Sequence, residues 1–236
     1  MTLVKLLSYN VRSLRDDTAA LARVMRQVAP DVAIIQEAPR FLRWRSQCAA
    51  LARRAGLVVV TGGRATGANL VLSSLAVDVV ATHEIGFSRD QNLHHRGVAL
   101  AVLRLSGTEF AVAGTHLDLI ESPRLRHLDE LAEHAATAVP AGVPLIVGGD
   151  LNALPGSATW RRLERFGPDA FATVTAAVTD PAGDPGYTYS STDPVRRIDA
   201  LFADPRAVPV SAEVLSSDDV RIASDHRPLV VEFDIG

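Results

Sequence analysis

Residues 144–152, PLIVGGDLN, constrain the fold more than any other stretch of this chain. An apolar run breaks into two glycines and then delivers Asp150 and Asn152. Short apolar runs bounded by turn residues read as strands buried on both faces. Residues two apart on an extended chain point the same way, so Asp150 and Asn152 share a side. The glycines permit close approach of a ligand or of backbone. A carboxylate and a carboxamide together at a strand end suit a hard cation or a nucleophilic water. The same residues would also cap a helix that follows the strand. This stretch alone leaves both readings open. Five other stretches end in the same kinds of residue, and together they favour a site.

A chain of 236 residues is long enough for a sizeable core and is read as one domain, 1–236. Hydrophobic residues make up 47% and charged residues 22%, with a net charge of −3, as in an ordinary globular protein. Without a basic balance, tight sequence-independent DNA binding gains no support, because Lys and Arg hold the phosphate backbone. Lys5 is the only lysine; the other basic side chains are arginines. Cys48 is the only cysteine, so no internal disulfide forms, which fits a reducing compartment. The N-terminal MTLVKLLSYN runs straight into a strand and lacks a signal-peptide pattern. No apolar run reaches membrane-spanning length. A cytoplasmic monomer is the expectation.

In chain order, residues 3–8 form an apolar strand ending in Tyr9-Asn10. Asp17 caps a helix with Leu21, Val24, Met25 and Val28 on one face, ended by Pro30. Residues 31–36 form a strand ending in Glu37. Phe41, Trp44, Cys48, Leu51 and Ala55 make a helical stripe, assigned to the core, and Gly56 stops it. Strands follow at 57–61, 68–73 and 76–81. The polar segment 84–95 reads as a loop, and its His94 and His95 as solvated rather than metal-binding. Residues 97–105 and 108–115 form a hairpin around Ser106-Gly107, and the second arm runs into His116-Leu117-Asp118. Ser122-Pro123 opens a helix with Pro at its first position. Ser157 caps a short helix with Trp160 and Leu163, closed by Gly167. Residues 168–195, rich in Pro, Gly, Asp, Ser and Thr, form a long loop. Strands at 197–202, 208–215 and 229–234 complete the chain. Many short strands with interspersed helices make an α/β protein, whose strand ends collect polar residues at one edge.

Those ends offer Asn10, Glu37, His116, Asp150, Asn152, Asp199, Asp225 and His226. Carboxylates with carboxamides favour Mg²⁺ or Mn²⁺ over zinc. Such a set fits in-line attack of water on a phosphoryl group, with histidine stabilising the transition state or the leaving group. No G-x-S-x-G elbow and no Walker A loop is present, and a single cysteine excludes zinc fingers.

The ordered series Tyr9-Asn10-Val11, Gln36-Glu37, Thr115-His116-Leu117, Gly149-Asp150-Leu151-Asn152, Arg197-Ile198-Asp199 and Ser224-Asp225-His226-Arg227-Pro228 resembles the endonuclease/exonuclease/phosphatase superfamily. The resemblance implies a four-layer α/β sandwich like that of deoxyribonuclease I, with two mixed β-sheets packed face to face and helices outside. It implies that Glu37 is the main ligand of Mg²⁺ or Mn²⁺, with Asn10 and Asp225 beside it. Asp150 would orient or deprotonate the attacking water, and Asn152 would bind the phosphate or a second metal. His226 would contact the scissile phosphate, held in its tautomer by Asp199. His116 would act near the leaving oxygen, with Arg96 and Asn69 as substrate-binding positions. The substrate would be a phosphoester: a small molecule, a lipid-linked diester or a nucleic acid. A metal-dependent phosphohydrolase is the leading reading; a nuclease, then an inactive binding module, are the alternatives. Two features depart from the superfamily pattern. Leu72-Ser73-Ser74 lacks the usual arginine, and residues 64–72 carry no carboxylate to partner His116, a role that leaves Asp118 as a substitute.

Overall fold

The computed structural model describes residues 1–176 and 185–236. Eleven strands among them form two mixed sheets. The first takes β1 (Leu3–Asn10), β2 (Val32–Gln36), β3 (Val58–Gly63) and β4 (Asn69–Ser73) from the first half of the chain. The second takes β5 (Asp78–Gly86), β6 (Gly97–Leu105), β7 (Thr108–His116), β8 (Leu145–Asp150) and β9 (Asp199–Ala203). The last strands, β10 (Val208–Val214) and β11 (Leu229–Asp234), return to the first sheet. Its order is β10-β11-β1-β2-β4-β3, and that of the second is β5-β6-β7-β8-β9. Each sheet has one parallel pair, β1 with β2 and β7 with β8; the other pairings are antiparallel.

The sheets face each other across one apolar layer. Val4, Leu6, Val32 and Ile34 from the first meet Ala99, Leu103, Val112 and Ile146 from the second. Intervening residues point outward and are buried by helices, which is why these strands read as unbroken apolar runs. On the first sheet, Leu7, Ala33 and Ile35 pack under α1 (Thr18–Val28) and α2 (Trp44–Ala55). On the second, Val98, Ala113, Val147 and Phe202 pack under α3 (Glu121–Ala138) and α4 (Ala158–Leu163). The result is the four-layer sandwich. Gly114 sets how closely the sheets approach: a Cβ there would lie 1.9 Å from Ile34 Cγ2 of the opposite sheet.

Local chemistry explains the helix ends. Asp17 accepts from Ala19 N at 2.8 Å and Ala20 N at 2.9 Å, and Ala29 closes α1 in the left-handed region. Gly56, at φ +78°, closes α2. Ser157 accepts from Trp160 N, and Trp160 meets Phe202 edge-on at 5.5 Å.

Four expectations are corrected. Phe41 is not part of the α2 stripe: Arg43 sits at φ +58°, which breaks the helix upstream, and Phe41 is 75% exposed. Residues 84–86 belong to β5 rather than to a loop. That strand is a sheet edge with an exposed face, so polar residues are tolerated, and Glu84 accepts a hydrogen bond from Gly62 N at 3.1 Å. The third helix opens at Glu121, not at Ser122-Pro123; Pro123 sits inside the first turn, where its missing N–H costs no intrahelical bond. The long loop 168–195 contains α5 (Ala170–Ala176), capped by Asp169, while its residues 177–184 lie outside the described residues. The remaining helix, α6 (Asp218–Ala223), packs on α1. No described helix is long and apolar enough to cross a membrane.

Candidate active site

The two parallel pairs end at one place. Asn10 and Gln36 are register partners at the end of β1 and β2, and Glu37 follows directly. In the other sheet Asp150 is flanked in register by His116 of β7 and Asp199 of β9. The sheets touch here through Asn10, whose Nδ2 donates to Asp150 Oδ2 at 3.0 Å and to Glu37 Oε1 at 3.3 Å. The Asn10 oxygen accepts Arg12 N–H at 3.0 Å, so the amide is held in this orientation.

Gly149 makes the junction possible. At φ +134° it holds a conformation that L side chains rarely adopt, and a Cβ would fall 2.0 Å from Thr115 O. The glycine therefore admits neighbouring backbone rather than a ligand. Asp150 and Asn152 do not cap a helix, since α4 begins only at Ala158. Instead Asp150 Oδ1 accepts Asn152 N–H at 3.0 Å in a tight turn, with Asn152 at φ +47°.

The histidines carry opposite charge states. His226 donates from Nδ1 to Asp199 Oδ2 at 2.9 Å, and its Nε2 lies 3.7 Å from Asp150 Oδ2. Burial alone would push its pKa down, but Asp199, then Asp150 and Asp225, outweigh burial and raise it to about 10. Asp199 Oδ1 is buried without a hydrogen-bond partner, so the imidazolium answers its charge. His116 moves the other way. Burial lowers it to about 4, Arg96 adds to the effect, and Asp150 opposes it. Asn152 Nδ2 donates to Leu117 O at 3.1 Å, which turns its other hydrogen toward His116 Nε2 at 3.0 Å. Burial thus favours the neutral ring, whose Nε2 also lies 3.3 Å from Asp150 Oδ2.

Arg96 is buried next to this group. Its Nε makes no hydrogen bond and lies 3.8 Å from Asp118 Oδ2. Burial weighs against its charge, while Asp118, Asp150 and Glu37 support it. Asp118 thus faces Arg96, and no contact joins it to His116 among the described residues. Asn69 lies one layer back, fully buried, and donates to Thr66 O at 2.7 Å and Gly97 O at 3.0 Å. It braces the start of β6, directly after Arg96. Asp225 is half-exposed and turns toward Arg12, 3.2 Å away. His95 ties its loop to Ala65 O at 2.8 Å, and His94 is exposed.

Two places have the donors for a cation. Glu37 Oε1 and Asp150 Oδ2 both accept from Asn10 Nδ2, so two carboxylates converge there, oxygen ligands of the kind Mg²⁺ and Mn²⁺ take, while the Asn10 oxygen is held by Arg12 N–H. Ligand atoms of Asp150, Asp199 and His226 also lie within 4.8 Å of one another. In that second group a cation would have to displace the proton shared by His226 and Asp199, so the Glu37 side is the better fit.

Two neighbours of the site escaped the sequence reading. The Tyr189 ring lies 5.0 Å from that of His226, and the Arg196 guanidinium lies 4.8 Å over the other ring contact, that of Tyr189 itself. Both sit in a loop with no periodic signal, joined to the site by an isolated bridge between Tyr189 and His226. Arg12 follows Asn10 by two residues, a spacing that did carry a hint.

Known proteins share this fold. A structure of an endonuclease/exonuclease/phosphatase from Bacteroides vulgatus superposes with a TM-score of 0.79 at 18% identity, covering 100% of both chains. A mannosyl-6-phosphatase from Bacteroides thetaiotaomicron gives 0.79 at 17% identity, covering 98% of this chain and 99% of that one. D. rerio TDP2, complexed with a single-strand DNA product, gives 0.73 at 17% identity, covering 99% and 100%. No curated protein matches the sequence. The family's sequence profile matches residues 7–226, which takes in every strand end described above. The chain belongs to the endonuclease/exonuclease/phosphatase family.

Proposed function

We propose that residues 1–236 form a single catalytic domain that hydrolyses a phosphoester by in-line attack of water, aided by Mg²⁺ or Mn²⁺. One observation carries this reading. A buried row, Asp199–His226–Asp150, places an imidazolium between two carboxylates, next to a neutral His116 and the buried Arg96. Few structural roles need a buried charge pattern of that cost.

Each residue then has a task. Arg96 and the His226 imidazolium hold phosphate oxygens and answer the charge that grows on them in the transition state. Asp150 orients the attacking water and accepts its proton. Asp199 fixes the His226 ring and its charge. Asn152 and Asp150 hold the neutral His116 ring in place near the leaving oxygen. Glu37 is the principal holder of the divalent ion, with Asn10 and Asp225 supporting it. When bound, the ion supplies charge neutralisation at the phosphoryl group. Asn69 acts on the substrate through Arg96.

The neighbours fit this breadth of substrate, since one is a mannosyl-6-phosphatase and another was solved with a DNA product. A cytoplasmic monomer stays the expectation, and the single buried cysteine fits a reducing compartment. The test is hydrolysis by purified protein in Mg²⁺, with Asp150→Asn as control. An aryl phosphodiester, an aryl phosphomonoester and plasmid DNA are offered side by side. Turnover of any of them, lost in the variant, supports the reading, and nicking of the plasmid alone would make the protein a nuclease. Equal turnover by wild type and variant would remove Asp150 from the mechanism.

A further inference from the structure

The mouth of the site is apolar in an unusual way. The largest exposed side chains near it are Phe41 and Leu42, after β2, and Leu119 and Ile120, after β7. Leu42 is 85% exposed and Leu119 73%. Leu154 follows β8, two residues beyond Asn152, and is exposed as well. Each lies on a loop that leaves the C-terminal end of a strand bearing a site residue.

These loops are contiguous. Asn152 Nδ2 binds Leu117 O at 3.1 Å, which joins the loop of Leu154 to that of Leu119 and Ile120. Glu37, shortly before Phe41, accepts from the same Asn10 amide that binds Asp150, which sets the loop of Phe41 and Leu42 at the same edge. Together they make one rim. An exposed apolar patch at a functional site marks an interaction surface.

The rim is also cationic. Residues 40–45 read RFLRWR. Arg40 lies 5.4 Å over the Phe41 ring and Arg45 lies 4.3 Å over that of Trp44. Arg40, Arg43 and Arg45 have no carboxylate within ion-pair distance among the described residues. Three arginines without a carboxylate partner among the described residues therefore stand beside the exposed Phe41 and Leu42, in a chain whose net charge is −3, while Trp44 packs half-buried against the core.

We infer that this rim docks on an anionic lipid bilayer, which brings the site to the level of the headgroups. Apolar side chains that enter the acyl boundary, flanked by arginines that meet anionic headgroups, are the chemistry of interfacial binding. A single nucleic-acid strand suits the rim less well. Bases are held by stacking on rings, and Leu42, Leu119, Ile120 and Leu154 have none. The docking claim goes beyond the hydrolase reading; that the docked site acts on a lipid phosphoester rests on it.

The test is co-sedimentation of the whole protein with phosphatidylcholine vesicles, with and without phosphatidylserine. Wild type is compared with Phe41→Glu combined with Leu42→Glu, and with Val210→Glu on the exposed face of β10 as a control. Wild type should partition onto the mixed vesicles, less so in high salt. The double variant should lose at least about tenfold, and about a hundredfold if both side chains insert fully. Val210→Glu should bind as wild type does. All three should melt at similar temperatures, because the replaced side chains are exposed. No partition by wild type, or equal partition by the double variant, overturns the inference. So does binding to a single-stranded oligonucleotide in place of vesicles. Turnover of a soluble aryl diester, measured alongside, separates the two claims. Turnover without vesicle binding refutes docking alone, and vesicle binding without turnover of any phosphoester refutes the hydrolase reading alone.

Discussion

Replacing Asp199 with Asn should change how stability depends on pH, by an amount the structure sets. Both Asp199 and His226 are buried, and their hydrogen bond is 2.9 Å. Burial opposes the His226 charge, but Asp199 and the other carboxylates raise its pKa to about 10. An unfolded histidine titrates near 6.5. Below about 6.5 both states hold the proton and the pair's full contribution is present. Between about 6.5 and 10 the folded protein keeps a proton that the unfolded chain has released, so stability falls as pH rises. The slope is about 1.4 kcal/mol per pH unit, or roughly 2 kcal/mol between pH 7 and 8.5. The whole contribution is on the order of 5 kcal/mol, in line with the cost of breaking a buried ion pair. With Asn at 199 the main support of the charge is gone, the pKa falls back, and this slope disappears. The assay is urea unfolding of both proteins in metal-free buffer at pH 7, 7.75 and 8.5, values chosen within roughly two units above the unfolded pKa. Groups common to both proteins cancel in the difference. Parallel pH dependences would refute the reasoning, because Asp199 would then not be what holds the proton on His226.

His116 is neutral at all pH values above about 4, so no acid limb near 6.5 in kcat/KM should belong to it; such a limb in wild type, abolished by His116→Asn, would contradict the assignment. Gly149→Ala puts a Cβ 2.0 Å from Thr115 O at a φ of +134°, so the variant should lose roughly 3 kcal/mol or fail to fold. An unchanged urea midpoint would show that the junction can relax. Treatment with EDTA should abolish phosphoester turnover and added Mg²⁺ should restore it; turnover that survives chelation would exclude the divalent ion proposed at Glu37. Arg96→Lys removes a buried planar donor and should raise KM about tenfold or more with a smaller change in kcat, as steady-state kinetics would show.

What was legible along the chain, and what was not, follows from the range of the forces involved. Runs such as DVAIIQ and PLIVGGD read as strands because both faces are buried, which leaves no polar residue to break the run. Asp17 and Ser157 read as caps because a cap is a contact between residues two or three apart. The ordered polar residues at strand ends carried the resemblance to the family, since each motif is a short local run. Errors arose where a distant neighbour decided. Phe41 looked like core from its helical spacing, yet Arg43 in the left-handed region turned it outward. The polar Glu84 looked like loop, yet pairing with β6 made it strand.

The site divides in the same way. The sequence by itself determined which side chains gather at the strand ends and that their oxygens suit a hard cation. Only the tertiary structure decided that His226 is charged and His116 neutral. That difference arises from Asp199, 27 residues away in sequence, and from burial between two sheets whose strands come from both ends of the chain. Electrostatics inside a protein depends on distance and on the exclusion of water, and neither is written in the order of residues.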